Sequence, residues 1–92
     1  LECIGMCGIN QNGISNLKNL RKLKCNSNPL IIDVNHLYGT LNVLECSGEE
    51  CGITQNGIEK LLQLKHIEYT RNNKITNINI FTLEKCNILQ WI

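Results

Sequence analysis

Leu20-Arg21-Lys22-Leu23-Lys24-Cys25-Asn26-Ser27-Asn28-Pro29-Leu30 is the stretch whose reading decides the fold. Leu23 and Cys25 alternate with Lys22, Lys24 and Asn26, the period-two pattern of a short strand with one buried face. Asn28 then marks a turn, and the only proline follows it where no strand is interrupted. Outward from this stretch the same aliphatic–polar–apolar triplet recurs. Leu1-Glu2-Cys3, Leu23-Lys24-Cys25, Leu44-Glu45-Cys46, Ile67-Glu68-Tyr69 and Leu89-Gln90-Trp91 start 22, 21, 23 and 22 residues apart. A turn residue follows each of the first four: Cys7, Asn28, Cys51 and Asn73. The distance from it to the next triplet is always 16.

Further columns hold the same phase. Two residues after the turn residue stand Ile9, Leu30, Ile53 and Ile75, and thirteen after it Leu20, Leu41, Leu64 and Cys86. Ten after it stand Leu17, Leu61 and Leu83, with Leu37 one place early in the second unit. The stretch Leu20-x-x-Leu23-x-Cys25-x-x-Asn28-x-Leu30 resembles the leucine-rich-repeat family, whose units run L-x-x-L-x-L-x-x-N/C-x-L. The other units depart from that pattern by one or two inserted residues between strand and turn. The resemblance implies an α/β repeat, a solenoid with one short parallel strand per unit on its concave side and short helical or 3₁₀ segments on its convex side. It spans 1–92 as units 1–22, 23–43, 44–66, 67–88 and a partial 89–92. The triplet at the very start, without a leading Met, and the apolar Trp91-Ile92 predict a longer parent array or a capping partner.

One such unit cannot bury its own apolar face, whereas neighbours stacked at strand spacing make a continuous core. The alternation predicts Leu1, Leu23, Leu44, Ile67 and Leu89 inward, with Cys3, Cys25, Cys46, Tyr69 and Trp91. The turn residue meets a second need, because a buried bend leaves N–H and C=O groups that require partners, and an Asn side chain carries both donor and acceptor. Cys fits the same slot as a small hydrophobe with a weak donor. A longer rhythm is also present. Cys-Gly-Ile-x-Gln-Asn-Gly-Ile occurs at 7–14 and at 51–58, so the period is two units, about 44 residues. This stretch is loosely similar to cysteine-containing repeats of F-box proteins but lacks their Asp after Thr and later Cys-Pro. Apolar residues three apart in 13–20 and 57–64 predict helical turns, with Asn12 and Asn56 as caps or as part of an Asn-Gly turn.

Composition narrows the function. Nine Lys and Arg against eight Asp and Glu give a net charge of +1, and no basic run exceeds Arg21-Lys22 with Lys24, so nucleic acid is not an expected partner. No apolar run approaches the roughly 18 residues of a membrane span, and the start lacks the charged region of a signal peptide. Six cysteines suggest a disulfide framework, yet Cys7 and Cys51 sit two strand spacings apart, about 10 Å, beyond bridging reach. Cys3, Cys25 and Cys46 form one inward column, better suited to packing. All six are therefore expected as reduced structural thiols. Cys3-x₃-Cys7 and Cys46-x₄-Cys51 are poor zinc spacings with no His pair to complete them. With no Asn-x-Ser/Thr acceptor, these thiols fit an intracellular, cytoplasmic setting.

His36 and His66 have no nucleophile placed beside them, Glu49-Glu50 lacks the further oxygens of a calcium site, and the glycines at 5, 8, 48 and 52 lack the lysine of a phosphate loop. No catalytic, cofactor or metal residue is expected. What remains is a surface. Glu2, Lys24, Glu45, Glu68 and Gln90 alternate with the inward residues, flanked by Lys22, Val43, His66 and Ile88 on one side and Ile4, Asn26, Ser47 and Thr70 on the other. The expectation is a non-enzymatic interaction scaffold binding a protein or peptide through Glu2, Lys22, Lys24, Glu45, His66, Glu68 and Gln90. The alternatives are a recognition segment of a receptor, adhesin or ubiquitin-ligase adaptor, and a regulatory domain of an enzyme.

Overall fold

The computed structural model describes residues 1–5 and 7–77, with the backbone of a last strand at Asn87–Leu89. Leu83, Cys86, Gln90, Trp91 and Ile92 lie outside the described residues. Four three-residue strands, β1 (Lys22–Lys24), β2 (Val43–Glu45), β3 (His66–Glu68) and β4 (Asn87–Leu89), form one parallel sheet in sequence order. Leu23 lies opposite Leu44, Leu44 opposite Ile67, and Ile67 opposite Ile88. Glu2 adds an isolated parallel bridge to Lys24 beyond β1. Parallel neighbours need a crossover, and the described crossovers are coils of short turns. Among the described residues the regular pieces in the coils are a helix, α1 (Gln11–Ser15), and a 3₁₀ turn at Asn35–Leu37. The cap of α1 is Asn10, not Asn12: its backbone is extended and its Oδ1 accepts from Gly13 N at 3.0 Å. Residues 57–64 form turns rather than a helix.

The aliphatic columns meet inside. Leu23, Leu44 and Ile67 are fully buried on the strands, backed by Ile31, Ile53 and Ile75, by Leu37 and Leu61, and by Leu41 and Leu64. Burial of each such side chain contributes roughly 1.5–3 kcal/mol. Three expected core residues, Leu1, Leu17 and Leu30, are exposed. Leu1 and Leu17 belong to the first coil. Leu30 N donates to Asn28 Oδ1 at 2.9 Å, a local turn that points its side chain outward and gives the core slot to Ile31.

Stacked turns carry the polar half of the core. Asn28 Nδ2 donates to the carbonyls of Cys3 and Ile9, both at 3.2 Å. Cys51 Sγ takes the same slot one coil on, 3.5 Å from the Cys25 carbonyl. In the next coil the residue is Asn72, which donates to Cys46 O at 2.8 Å and Ile53 O at 3.2 Å, while Asn73 is exposed. The expected turn position is thus one residue late, and so is the expected strand start at Leu89. Asn72 lies five residues after Ile67, as Asn28 lies five after Leu23, and sixteen residues separate it from Ile88. Asn72→Ala strands two buried carbonyls and is expected to cost about 2–3 kcal/mol, whereas Asn73→Ala stays within about 0.5 kcal/mol. Paired urea melts distinguish them, and equal costs would contradict the assignment.

Four residues past each of the strand centres Leu23, Leu44 and Ile67 the chain enters the left-handed region, at Ser27 (φ 59), Gly48 (φ 105) and Arg71 (φ 61), and in the first coil it does so at Gly5 (φ 64) and Gly8 (φ 96). Only glycine fits at 48, where a Cβ would lie 2.5 Å from Ser27 Oγ. The sharp bend at Gly5 also brings Cys7 back to Cys3. These two form a disulfide, with Cα atoms 5.5 Å apart, so the expectation of six reduced thiols is corrected for this pair. Cys7 escaped the turn slot because the first coil leaves it exposed, while Cys25, Cys46 and Cys51 are free and buried.

Neighbouring coils are held in two alternating ways. Gln11 brackets the second coil, Oε1 accepting from Ile32 N (2.8 Å) and Asp33 N (3.0 Å) while Nε2 donates to Asp33 O at 2.8 Å. Gln55, 44 residues on, repeats this on Thr76 and Asn77. Between the second and third coils Asn35 makes the bracket, Nδ2 donating to Asn56 O at 2.7 Å and Oδ1 accepting from Lys60 N at 2.9 Å, and there the backbones also meet directly. Gly52 N donates to Asn28 O at 3.0 Å and Val34 N to Gly57 O at 2.9 Å. Side chains at 52 or 57 would overlap the carbonyls of Pro29 and Ile32.

Candidate functional site

The parallel register places Glu2, Lys24, Glu45 and Glu68 in one row across the open face of the sheet. Side chains of alternate residues point away from the core, so the row follows from the same period that buries Leu23 and Leu44. Lys24 Nζ sits 3.3 Å from Glu2 Oε1 and 3.6 Å from Glu45 Oε2, and its ammonium is held above the ordinary lysine range, first by the hydrogen bond to Glu2 and then by the Glu45 charge. Glu45 is also oriented by Asn26, whose Nδ2 donates to Oε1 at 3.1 Å while its Oδ1 accepts from Ser47 N at 2.7 Å. Thr70 N in turn donates to Ser47 Oγ at 3.0 Å. The flanking residues Asn26, Ser47 and Thr70 thus form a ladder beside the charged row, and Ile4 stands exposed at its end.

Lys22, Val43 and His66 form the second row, as expected, but the register continues it to Asn87 rather than Ile88. Lys22 is exposed and His66 half-buried. Of the expected contact residues the sheet brings together Glu2, Lys24, Glu45 and Glu68 as one row and Lys22 and His66 as another. Gln90 lies outside the described residues, and Leu89 rather than Gln90 stands opposite Glu68. His36 is on the outer side, where its Nε2–H donates to Ile14 O at 3.0 Å.

Glu68 is the electrostatically costly member. Partial burial, and then the charge of Glu45 opposite it, raise its carboxyl above the usual range. A carboxyl whose pKa is raised on folding binds its proton more readily in the native state. Its cost is therefore absent below the unfolded pKa and complete above the folded one. Stability is expected to fall as pH rises through that window. Glu68→Gln is expected to remove this slope and gain about 0.5 kcal/mol at neutral pH. Chemical melts between pH 4 and 7 test it, and an unchanged slope in the variant would contradict it.

Among the described residues no group of His, Cys, Asp or Glu is arranged to hold a metal. No helix among them is long and apolar enough to cross a membrane. A second surface, unforeseen in the sequence, lies on the outer side. A groove of about 750 Å³ is lined by Tyr38, Lys60, Leu62, Gln63 and Lys65. Tyr38 and Leu62 are 64% and 63% exposed. Its sequence signal was there: Leu62 falls between the column residues Leu61 and Leu64 and has no place in the core. No family model matches this chain, and no curated protein or solved structure matches it.

Proposed function

We propose that this chain is a leucine-rich-repeat segment acting as a non-enzymatic scaffold, whose concave sheet face binds a protein or peptide segment carrying basic side chains. One observation carries the reading. Glu45 and Glu68 stand side by side on adjacent strands, and Lys24, already shared with Glu2, is the cation beside them. A lysine or arginine from a partner would relieve that repulsion, and a rigid sheet fixes both carboxylates in advance, which lowers the cost of binding. A fluorescein-labelled peptide alternating Arg with Ser and Leu, titrated by anisotropy, tests it. Glu45→Lys and Glu68→Lys are each expected to weaken binding about tenfold or more, and binding is expected to fall with added salt. Unchanged affinity in both variants rejects the reading.

A second contact surface is favoured by Tyr38 and Leu62, two large apolar side chains exposed in one groove with Lys60 and Lys65. It suits a segment with an aromatic or aliphatic anchor followed by carboxylates. A Tyr38→Ala, Leu62→Ala double variant should lose affinity for such a peptide, while Glu68→Lys should keep it. Two observations bear on the compartment and oppose each other: among the described residues the free buried thiols Cys25, Cys46 and Cys51 favour a reducing interior, and the Cys3–Cys7 disulfide favours an oxidising one.

A further inference from the structure

Cys25 and Cys51 come from different coils, the first from the inward column after β1 and the second from the stacked turn slot. The slot packs directly on the strand residue of the preceding coil: Asn28 Nδ2 lies 3.4 Å from Cys3 Sγ, and Cys51 Sγ lies 3.5 Å from the Cys25 carbonyl. By the same packing, the Cys51 sulfur in the slot lies against the strand residue Cys25, as the Asn28 amide lies against Cys3. Where polar Asn usually fills the slot, the third coil thus sets a sulfur against a sulfur. We propose that Cys25 and Cys51 form a modification site: a dithiol that is oxidised by a low-molecular-weight disulfide and closes into a disulfide joining the second coil to the third.

The chemistry has defined roles. The neighbouring Cys25 side chain lowers the Cys51 thiol to about 7, and Cys51 in turn raises Cys25. Burial holds Cys46 well above the ordinary thiol range. Cys51 is therefore the thiolate that attacks, and Cys25 the thiol that resolves. With oxidised glutathione as oxidant, Cys51 sulfur attacks one glutathione sulfur, breaks the S–S bond and expels a glutathione thiolate. Cys25 then gives up its proton, its sulfur attacks Cys51 Sγ, and the second glutathione leaves. The protein loses two electrons and two protons, and one oxidised glutathione becomes two reduced. Both sulfurs are buried, so the first step needs the turn at Gly48–Glu50, whose Glu49 and Glu50 are exposed, to open locally.

The test uses the whole 92-residue chain, native, incubated with oxidised glutathione, then alkylated in denaturant and weighed intact. Digestion at glutamate separates the fragments, because cleavage after Glu45, Glu49 or Glu50 puts Cys25, Cys46 and Cys51 on three different peptides. The expected result is the loss of two alkylatable thiols, a Cys25–Cys51 linked pair, and a rate rising about tenfold between pH 6 and pH 8. Cys46→Ser should leave the yield and rate unchanged. A Cys46–Cys51 link overturns the proposal. So does a native chain in which Cys25, Cys46 and Cys51 all stay alkylatable, or a Cys25–Cys51 link that forms only in denaturant.

Discussion

Leu44→Asp abolishes the folded state, while Glu45→Lys one residue away leaves it intact. Leu44 is fully buried in β2, between Leu23 and Ile67 on the neighbouring strands. Truncation of a buried leucine alone costs about 2–5 kcal/mol. A carboxylate in its place has no cation or N–H donor to meet, and an uncompensated buried charge adds several kcal/mol more. A chain of 92 residues has a total stability of roughly 5–14 kcal/mol, so the sum is enough to unfold it. Glu45 lies on the solvent face, where the change removes bonds to Lys24 and Asn26 but gives Glu68 a cation, and the net effect is within about 1 kcal/mol. Far-ultraviolet circular dichroism and thermal melts separate the two outcomes. A comparable loss of structure in both variants would contradict the assignment of faces.

The second large effect is a reversal of sign between two glycines in identical motifs. Gly57→Ala drives a methyl into the Ile32 carbonyl, with Asp33 Cα only 3.1 Å away. Both are backbone atoms that cannot swing aside, and Gly57 O is tied to Val34 N. The cost is about 3 kcal/mol, at the upper end of overpacking. Gly13 occupies the same motif position 44 residues earlier, in α1, where a Cβ would meet only side-chain atoms, the Ile9 methyl at 3.3 Å and Asn10 Oδ1 at 3.8 Å. Gly13→Ala there gains about 0.5 kcal/mol from helix propensity, reduced by the Ile9 contact. Urea midpoints for the two variants check the pair, and equal shifts would mean that the second and third coils do not touch as described.

Much of this was legible in the residues, for a specific reason. Burial of Leu23, Leu44 and Ile67 repeats with the period of the pleat, and a one-residue slip would turn a whole strand inside out, so their facing follows from alternation alone. The outward row Glu2, Lys24, Glu45 and Glu68 was legible by the same rule. Where a position is governed by turn geometry instead, the pattern misled. Asn72 and Asn73 are chemically identical, and only the backbone decides which side chain reaches the Cys46 carbonyl. Leu30 and Ile31 differ likewise. The Cys3–Cys7 pairing depends on a left-handed bend at Gly5 that spacing does not encode. The groove at Tyr38 and Leu62 needs residues of two coils that only folding brings together.

The two kinds of coil contact limit how such a chain can be cut or extended. Gln11 needs a main chain like that at Ile32–Asp33 beside it, and Gly52 and Gly57 need one like that at Pro29–Ile32. Removing a single coil would set a glutamine bracket against a glycine-lined wall, with neither satisfied. Removing or inserting two together keeps each glutamine bracket and each glycine-lined face against its own kind of neighbour, so the pair of coils is the natural unit of change in this sequence.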